Sequence, residues 1–136
     1  MRSELLLALL LAGSAHAAGT LPLTVAGVTL EVEVAATPHA RQRGLMGRTR
    51  LPADGGMLFV FAQPGRHCFW MRDTPLPLHI VFIDAGGRIV DAADMQPYSD
   101  TLHCPGSAVR YALEVAQGSA ARAHLAPGMS VQGLPR

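Results

Sequence analysis

The amino-acid sequence predicts a mainly β fold, a compact antiparallel sandwich or barrel-like domain with one short helix near residues 38–46. Two observations predict it. Seven or eight short apolar segments are separated by turn signals every ~8–12 residues, a spacing typical of antiparallel sheets. The 136 residues contain no internal repeat and no linker, and a chain of this length suits one domain.

The first hairpin has the clearest strand signal. Apolar and polar residues alternate strictly from Val28 to Val34, which predicts a half-buried strand. Ala26-Gly27 separates this segment from residues 21–25 and predicts a tight turn, in which glycine supplies a positive φ.

The predicted helix begins at Thr37-Pro38, with threonine as N-cap and proline at the first helical position. We expect it to run to Met46 and to stop at Gly47. Gly44 costs about 1 kcal/mol relative to alanine within a helix. A neighbouring group is therefore expected to pack closely against it.

The rest of the chain predicts further strands and one helical turn. Proline and glycine turns separate the segments. Strands are expected at 57–61, 67–72, 78–84, 88–95, 111–116 and near 129–132, a long loop at 96–110, and a helical turn near 119–124.

The N-terminus has the three parts of a secretory signal peptide. Met1-Arg2 is followed by an apolar run from Leu5 to Ala12 and by the small-x-small sequence Ala15-His16-Ala17. We therefore predict a signal peptide at 1–17, a single β-rich domain at 18–136, and a secreted or periplasmic protein. The apolar run is well short of the ~20 residues that span a bilayer, so no membrane span is expected after cleavage.

The charge balance argues against nucleic acid as a partner. Eleven arginines, with no lysine, face ten acidic residues, and the net charge is +1. Binding to phosphate backbones requires a concentrated basic surface, which this balance does not provide. We expect a monomer.

The chain has two cysteines, Cys68 and Cys104. In an exported protein a disulfide between them is the first interpretation, and the closed loop would contribute on the order of 4 kcal/mol. The alternative is that each cysteine is a small buried apolar residue.

Several sequence blocks follow one another in a specific order and resemble a known family. They include Arg41-x-x-Gly44-Leu45-Met46, Leu51-Pro52-x-Asp54-x-Gly56-Met57-Leu58-Phe59-Val60-Phe61, Phe69-Trp70-Met71-Arg72-Asp73-Thr74 and Tyr111-x-Leu113-Glu114-Val115. In this order they resemble the domain of unknown function 192 family, over about residues 24–133. The resemblance implies a compact, mostly antiparallel β domain, commonly exported in bacteria, and no established reaction, cofactor or catalytic residue. This chain has Arg72-Asp73 where the family usually has Lys-Asn, and His79 where it usually has Asp.

The candidate ligand-binding residues are Arg41, Trp70, Arg72, Asp73 and His79. Strand alternation places Trp70 and Arg72 on one face, where a guanidinium and an indole could bind an anion or a ring. Arg41 would join them if the helix packs across this face. In the alternative interpretation Asp73 caps a turn, Arg72 pairs locally and Trp70 belongs to the core.

The sequence also offers residues for two further functions, copper binding and nucleophilic catalysis. His67-Cys68 and His103-Cys104, with nearby methionines, offer the soft ligands that copper prefers. The same His67-Cys68 pair could act as a thiol and base, although adjacent strand residues point to opposite faces. Glu114 is predicted on the outward side of its strand.

We therefore expect a binding or accessory module for a small ligand, an envelope component or a protein. No cofactor, metal or catalytic residue is predicted. Copper binding, or an unrecognised enzyme activity, is the alternative.

Overall fold

A computed structural model describes residues 19–136, so the predicted signal peptide lies outside the described residues. The mainly β class with a short helix is confirmed. Within this part of the chain no helix is long and apolar enough to cross a membrane. The elements are β1 (Thr20–Val25), β2 (Val28–Ala35), α1 (Pro38–Arg43), β3 (Gly55–Gly65), β4 (Leu78–Ile83), β5 (Ile89–Met95), β6 (Val109–Ala116) and a 3-10 helix (Ala120–His124).

The six strands form a single open sheet in the order β1-β2-β3-β6-β4-β5, and it does not close into a barrel. Four of the five neighbouring pairs are antiparallel, but β2 and β3 are parallel. The expectation of a purely antiparallel sheet needs this correction. Parallel neighbours require a crossover connection, and α1 lies in the segment that makes it.

Both faces of the sheet are buried. The face that we call the helix face carries Phe59 and Phe82 and is covered by Ala40 of α1, by Leu45 and by Met71. The opposite face carries Leu58 and Leu113. It is covered by residues of the 3-10 helix and the C-terminal segment, namely Ala121, Leu125 and Val131. The central strands therefore alternate between two cores.

The helix is shorter than predicted, because it ends at Arg43. Gly44 has φ 48° and ψ −131°, a conformation that side chains disfavour, and its N–H still donates to Ala40. A Cβ on Gly44 would lie 3.3 Å from Cζ of Phe59. The expected close packing against Gly44 is confirmed.

Two predicted strands are absent from the sheet. In the segment 67–72 only Phe69 forms a bridge, to His103, because its backbone pairs with the loop before β6 instead of with a strand. Near 129–132 there are isolated bridges of Ser130 and Gln132. The first hairpin and the helical turn near 119–124 are confirmed.

Substituting Gly44 with alanine tests the close contact with Phe59. Gly47 also has a positive φ, of 75°, but open space where its Cβ would be, so Gly47→Ala is the matched control. We expect Gly47→Ala to lower the free energy of unfolding by about 1 kcal/mol and Gly44→Ala by about 2–3 kcal/mol. Urea unfolding measures both, and equal losses would contradict the packing role of Gly44.

Candidate functional site

A cavity of about 230 Å³ lies on the helix face, between α1 and the segment that joins β3 to β4. We call it the aromatic cavity. Its exposed or half-buried lining includes Arg41, Arg43, Phe61, Phe69, Trp70 and Arg72, and its buried lining includes Leu45, Phe59, Met71, Thr74, Leu78 and Glu114.

A tether between two loops positions one wall of the cavity. Cys68 is bonded to Cys104, and Phe69 and His103 exchange two backbone hydrogen bonds of 2.9 and 2.8 Å. Farther along, the N–H of Met71 donates to the carbonyl of Ser99 at 2.9 Å. The β3–β4 segment is therefore held against the β5–β6 loop.

Three phenylalanines pack edge to face along this wall. The ring centroids of Phe59 and Phe69 are 4.9 Å apart, and those of Phe61 and Phe69 are 6.1 Å apart. Phe61 also stacks on His67 at 3.6 Å. Such contacts favour fixed ring orientations, so the wall offers a defined apolar surface.

Arginines line the exposed part of the cavity. Arg41 donates from Nη1 to the carbonyls of Ala36 and Val60, at 2.9 and 3.0 Å, and its guanidinium lies 5.1 Å from the Phe61 ring. These contacts hold Arg41 beside β3. Arg43, two residues later, is exposed.

Arg72 and Trp70 lie together at the cavity, although the segment 67–72 is not the strand on which the alternation argument relied. The Arg72 guanidinium lies 3.9 Å from the Trp70 ring centroid, and Arg72 Nε donates to Asp100 at 3.2 Å. Trp70 remains 39% exposed, so it is not a core residue. It lines the cavity beside Arg72.

Glu114 is the buried ionisable residue in the lining of the cavity. The prediction that it faces outward was wrong, because the helix face of β6 is covered and the residue is only 4% exposed. Burial raises the pKa of its carboxyl to about 8. The carboxyl is therefore mostly neutral at pH 7.

Two candidate residues lie elsewhere. Asp73 adopts a positive φ of 54°, and its carbonyl accepts the N–H of Gly47 at 2.8 Å, so its backbone links the segment to the turn after α1. His79 lies on the opposite face. Its ring nitrogens are 2.8 Å from Asp94 and 3.1 Å from the Leu125 carbonyl. Neither residue lines the aromatic cavity.

The cysteine chemistry bears on the two alternative functions. With Cys68 and Cys104 bonded to each other, neither sulfur is a thiolate ligand or a nucleophile. Met71 and Met95 are fully buried in the core. Among residues 19–136 no group of three or more His, Cys, Asp or Glu side chains is arranged to hold a metal ion.

The sequence profile of the family DUF192, described as "Uncharacterized ACR", matches residues 21–133. The chain belongs to this family. A crystal structure of a protein of unknown function from Novosphingobium aromaticivorans is similar, with 34% identity, a TM-score of 0.77, and coverage of 83% of this chain and 84% of that one. A proposed transcription regulator from Sinorhizobium meliloti has 33% identity, a TM-score of 0.76, and coverage of 84% and 92%. Comparison with curated proteins finds no match.

The sequence blocks that carry the family resemblance meet at this cavity. Each of the four blocks quoted above contributes to its lining, from Arg41 through Phe59 and Trp70 to Glu114. Sequence reasoning missed Glu114 and the phenylalanine wall. The available signal was a single acid in the otherwise apolar segment 111–116, a pattern typical of a central strand buried on both sides.

The disulfide predicts the number of free thiols in the protein and a contribution to its free energy of unfolding. Denatured, unreduced protein should contain no free thiol. Replacing both Cys68 and Cys104 with serine should lower the free energy of unfolding by about 4 kcal/mol, because the bond closes a 36-residue separation in the unfolded chain. Thiol titration and urea unfolding measure these values, and two free thiols per chain would contradict the bond.

Burial of Glu114 predicts a pH dependence of stability. Its pKa is about 8 in the folded chain against 4.5 in the unfolded one. The contribution of the neutral carboxyl to the free energy of unfolding is therefore complete below pH 4.5 and is lost as the pH rises toward about 8. Over that window the free energy of unfolding should fall by up to ~1.4 kcal/mol per pH unit.

Glu114→Gln supplies the control for this dependence, because the amide does not ionise. The difference in thermal stability between the variant and the native chain should grow in favour of the variant from about pH 5 to about pH 8. A difference that stays constant with pH would contradict the buried, neutral carboxyl.

Proposed function

We propose that this protein is an extracytoplasmic binding module whose aromatic cavity takes a small organic anion with an apolar body. The observation that carries the proposal is one cavity that combines a phenylalanine and tryptophan wall with three arginines. The wall suits a planar or apolar body, and the guanidiniums suit a carboxylate or another oxyanion.

Cavity size limits the ligand. A volume of about 230 Å³ is about half again that of a ~150 Å³ cavity that binds benzene. It is smaller than the ~300–1,000 Å³ of sites for drug-sized molecules. The suitable ligand is therefore a single ring, or an aliphatic body of similar size, with one or two substituents.

The charges of the lining favour an anion over a cation. Arg41, Arg43 and Arg72 line the cavity, and Glu114, the acid among the lining residues, is mostly neutral at pH 7. Arg72 Nε is paired with Asp100, an exposed ion pair in which the Arg72 side chain remains 49% exposed. Such a pair is worth little and can open to admit a ligand anion.

Two features support a location outside the cytoplasm. The first 17 residues have the pattern of a signal peptide. Disulfides persist in oxidising compartments, and Cys68–Cys104 anchors the wall of the proposed site.

Trp70, the single tryptophan of the chain, provides the readout for binding. Because its ring lines the cavity, titration with benzoate should change the intrinsic fluorescence in a saturable way. Removing one guanidinium with Arg72→Ala should weaken benzoate binding about 10-fold, the loss of one charge-assisted contact.

Arg88→Ala is the matched control, since Arg88 is exposed on the β4–β5 turn and lies outside the cavity lining. It should leave the benzoate affinity unchanged. The proposal fails if benzoate and other small aromatic carboxylates do not bind, or if Arg72→Ala and Arg88→Ala weaken binding equally.

A further inference from the structure

We propose that the Glu114 carboxyl determines specificity by binding an uncharged hydrogen-bonding group of the ligand, such as a hydroxyl, at the end opposite the ligand's anionic group. This inference rests on the proposed function and names the chemistry of the second end of the ligand. It assigns a role to a buried carboxyl that the packing of the sheet does not use.

Glu114 lies at the centre of the sheet, among apolar neighbours. On the helix face its direct cross-strand partners are Met57 of β3 and Ile80 of β4. Met57 is 7% exposed and Ile80 is fully buried. Leu78 of β4 lines the same cavity. These side chains offer the carboxyl no hydrogen bond.

The carboxyl borders the cavity and has no partner in the protein. Among residues 19–136 no hydrogen bond or ion pair to the Glu114 side chain is formed, and burial is the cause of its raised pKa. In the same part of the chain, every side-chain oxygen that is fully buried has a hydrogen-bond partner. Because the Glu114 carboxyl has no such partner, its oxygens border open space, and the space that Glu114 lines is the aromatic cavity.

A neutral carboxyl suits a hydroxyl ligand group. It has one O–H donor and a carbonyl acceptor, and a hydroxyl can satisfy both at once. A buried polar group left unpaired costs ~1–3 kcal/mol, so a ligand that pairs with Glu114 gains over one that does not. The inner end of the cavity therefore discriminates between ligands of equal size.

A cationic group is a poorer fit at this end. The charged groups around the cavity are Arg41 and Arg43, from α1, and Arg72, from the β3–β4 segment, and all three would repel it. Pairing with a cation would also require Glu114 to ionise beside Met57 and Ile80, which is unfavourable in apolar surroundings.

Three probes of similar size test this inference, with Trp70 fluorescence as the readout: benzoate, para-hydroxybenzoate and para-(aminomethyl)benzoate. At a pH about two units below the pKa of Glu114, native protein should bind para-hydroxybenzoate about 10-fold more tightly than benzoate. It should bind the aminomethyl compound more weakly than either. The hydroxyl preference should decline as the pH rises through about 8.

Two variants separate the role of the carboxyl from its size. Glu114→Gln keeps a donor and an acceptor, so it should keep the hydroxyl preference but lose its pH dependence. Glu114→Leu should lose the preference, so that para-hydroxybenzoate and benzoate bind this variant with similar affinity. Circular dichroism checks that both variants fold, and Leu suits this apolar environment.

The outcomes distinguish this inference from the proposed function. If benzoate binds but para-hydroxybenzoate gains nothing, or the aminomethyl compound binds best, the role of Glu114 is wrong and the anion site stands. A preference that persists in Glu114→Leu also overturns it. If no probe binds, both proposals fail.

Discussion

The aromatic cavity depends on the tether between the β3–β4 segment and the β5–β6 loop. The Cys68–Cys104 bond and the paired backbone groups of Phe69 and His103 hold that segment beside the sheet. On the other side, α1 is anchored where Arg41 reaches the carbonyl of Val60. The β3–β4 segment and α1 are therefore each held at an edge, and the cavity lies between them. The space that remains lies over β6.

Glu114 makes the buried part of this cavity polar, although packing alone does not require a polar side chain there. An apolar side chain at that position would pack against Met57 and Ile80 without a desolvation cost. A carboxyl there is held neutral and lacks a protein partner, which is unusual for a buried polar group. A ligand that supplies the missing hydrogen bond recovers part of that cost. In the proposed complex the arginines at the exposed side pair with the anionic end of the ligand, and its uncharged end lies at Glu114.

Local signals in the sequence were sufficient for local structure. The alternation of β2 and the Thr37 cap gave the first hairpin and the start of the helix, and the cost of Gly44 pointed to a close neighbour, Phe59. The parallel β2–β3 pair is not readable in this way, since strand order depends on contacts between distant segments. The same limit applies to Glu114. Its position between Leu113 and Val115 predicts an outward-facing side chain, whereas β6 is central and is covered on both sides. His79, one residue out of phase with Leu78, consequently lies on the face away from the cavity.

A crystal structure of the native protein with bound para-hydroxybenzoate tests the central claim most directly. The account predicts a ring packed between Phe59 and Trp70, its carboxylate within hydrogen-bond distance of a guanidinium of Arg41, Arg43 or Arg72, and its hydroxyl on the Glu114 carboxyl. A cavity left empty at saturating ligand, or a ligand bound with its carboxylate against Glu114, would contradict it.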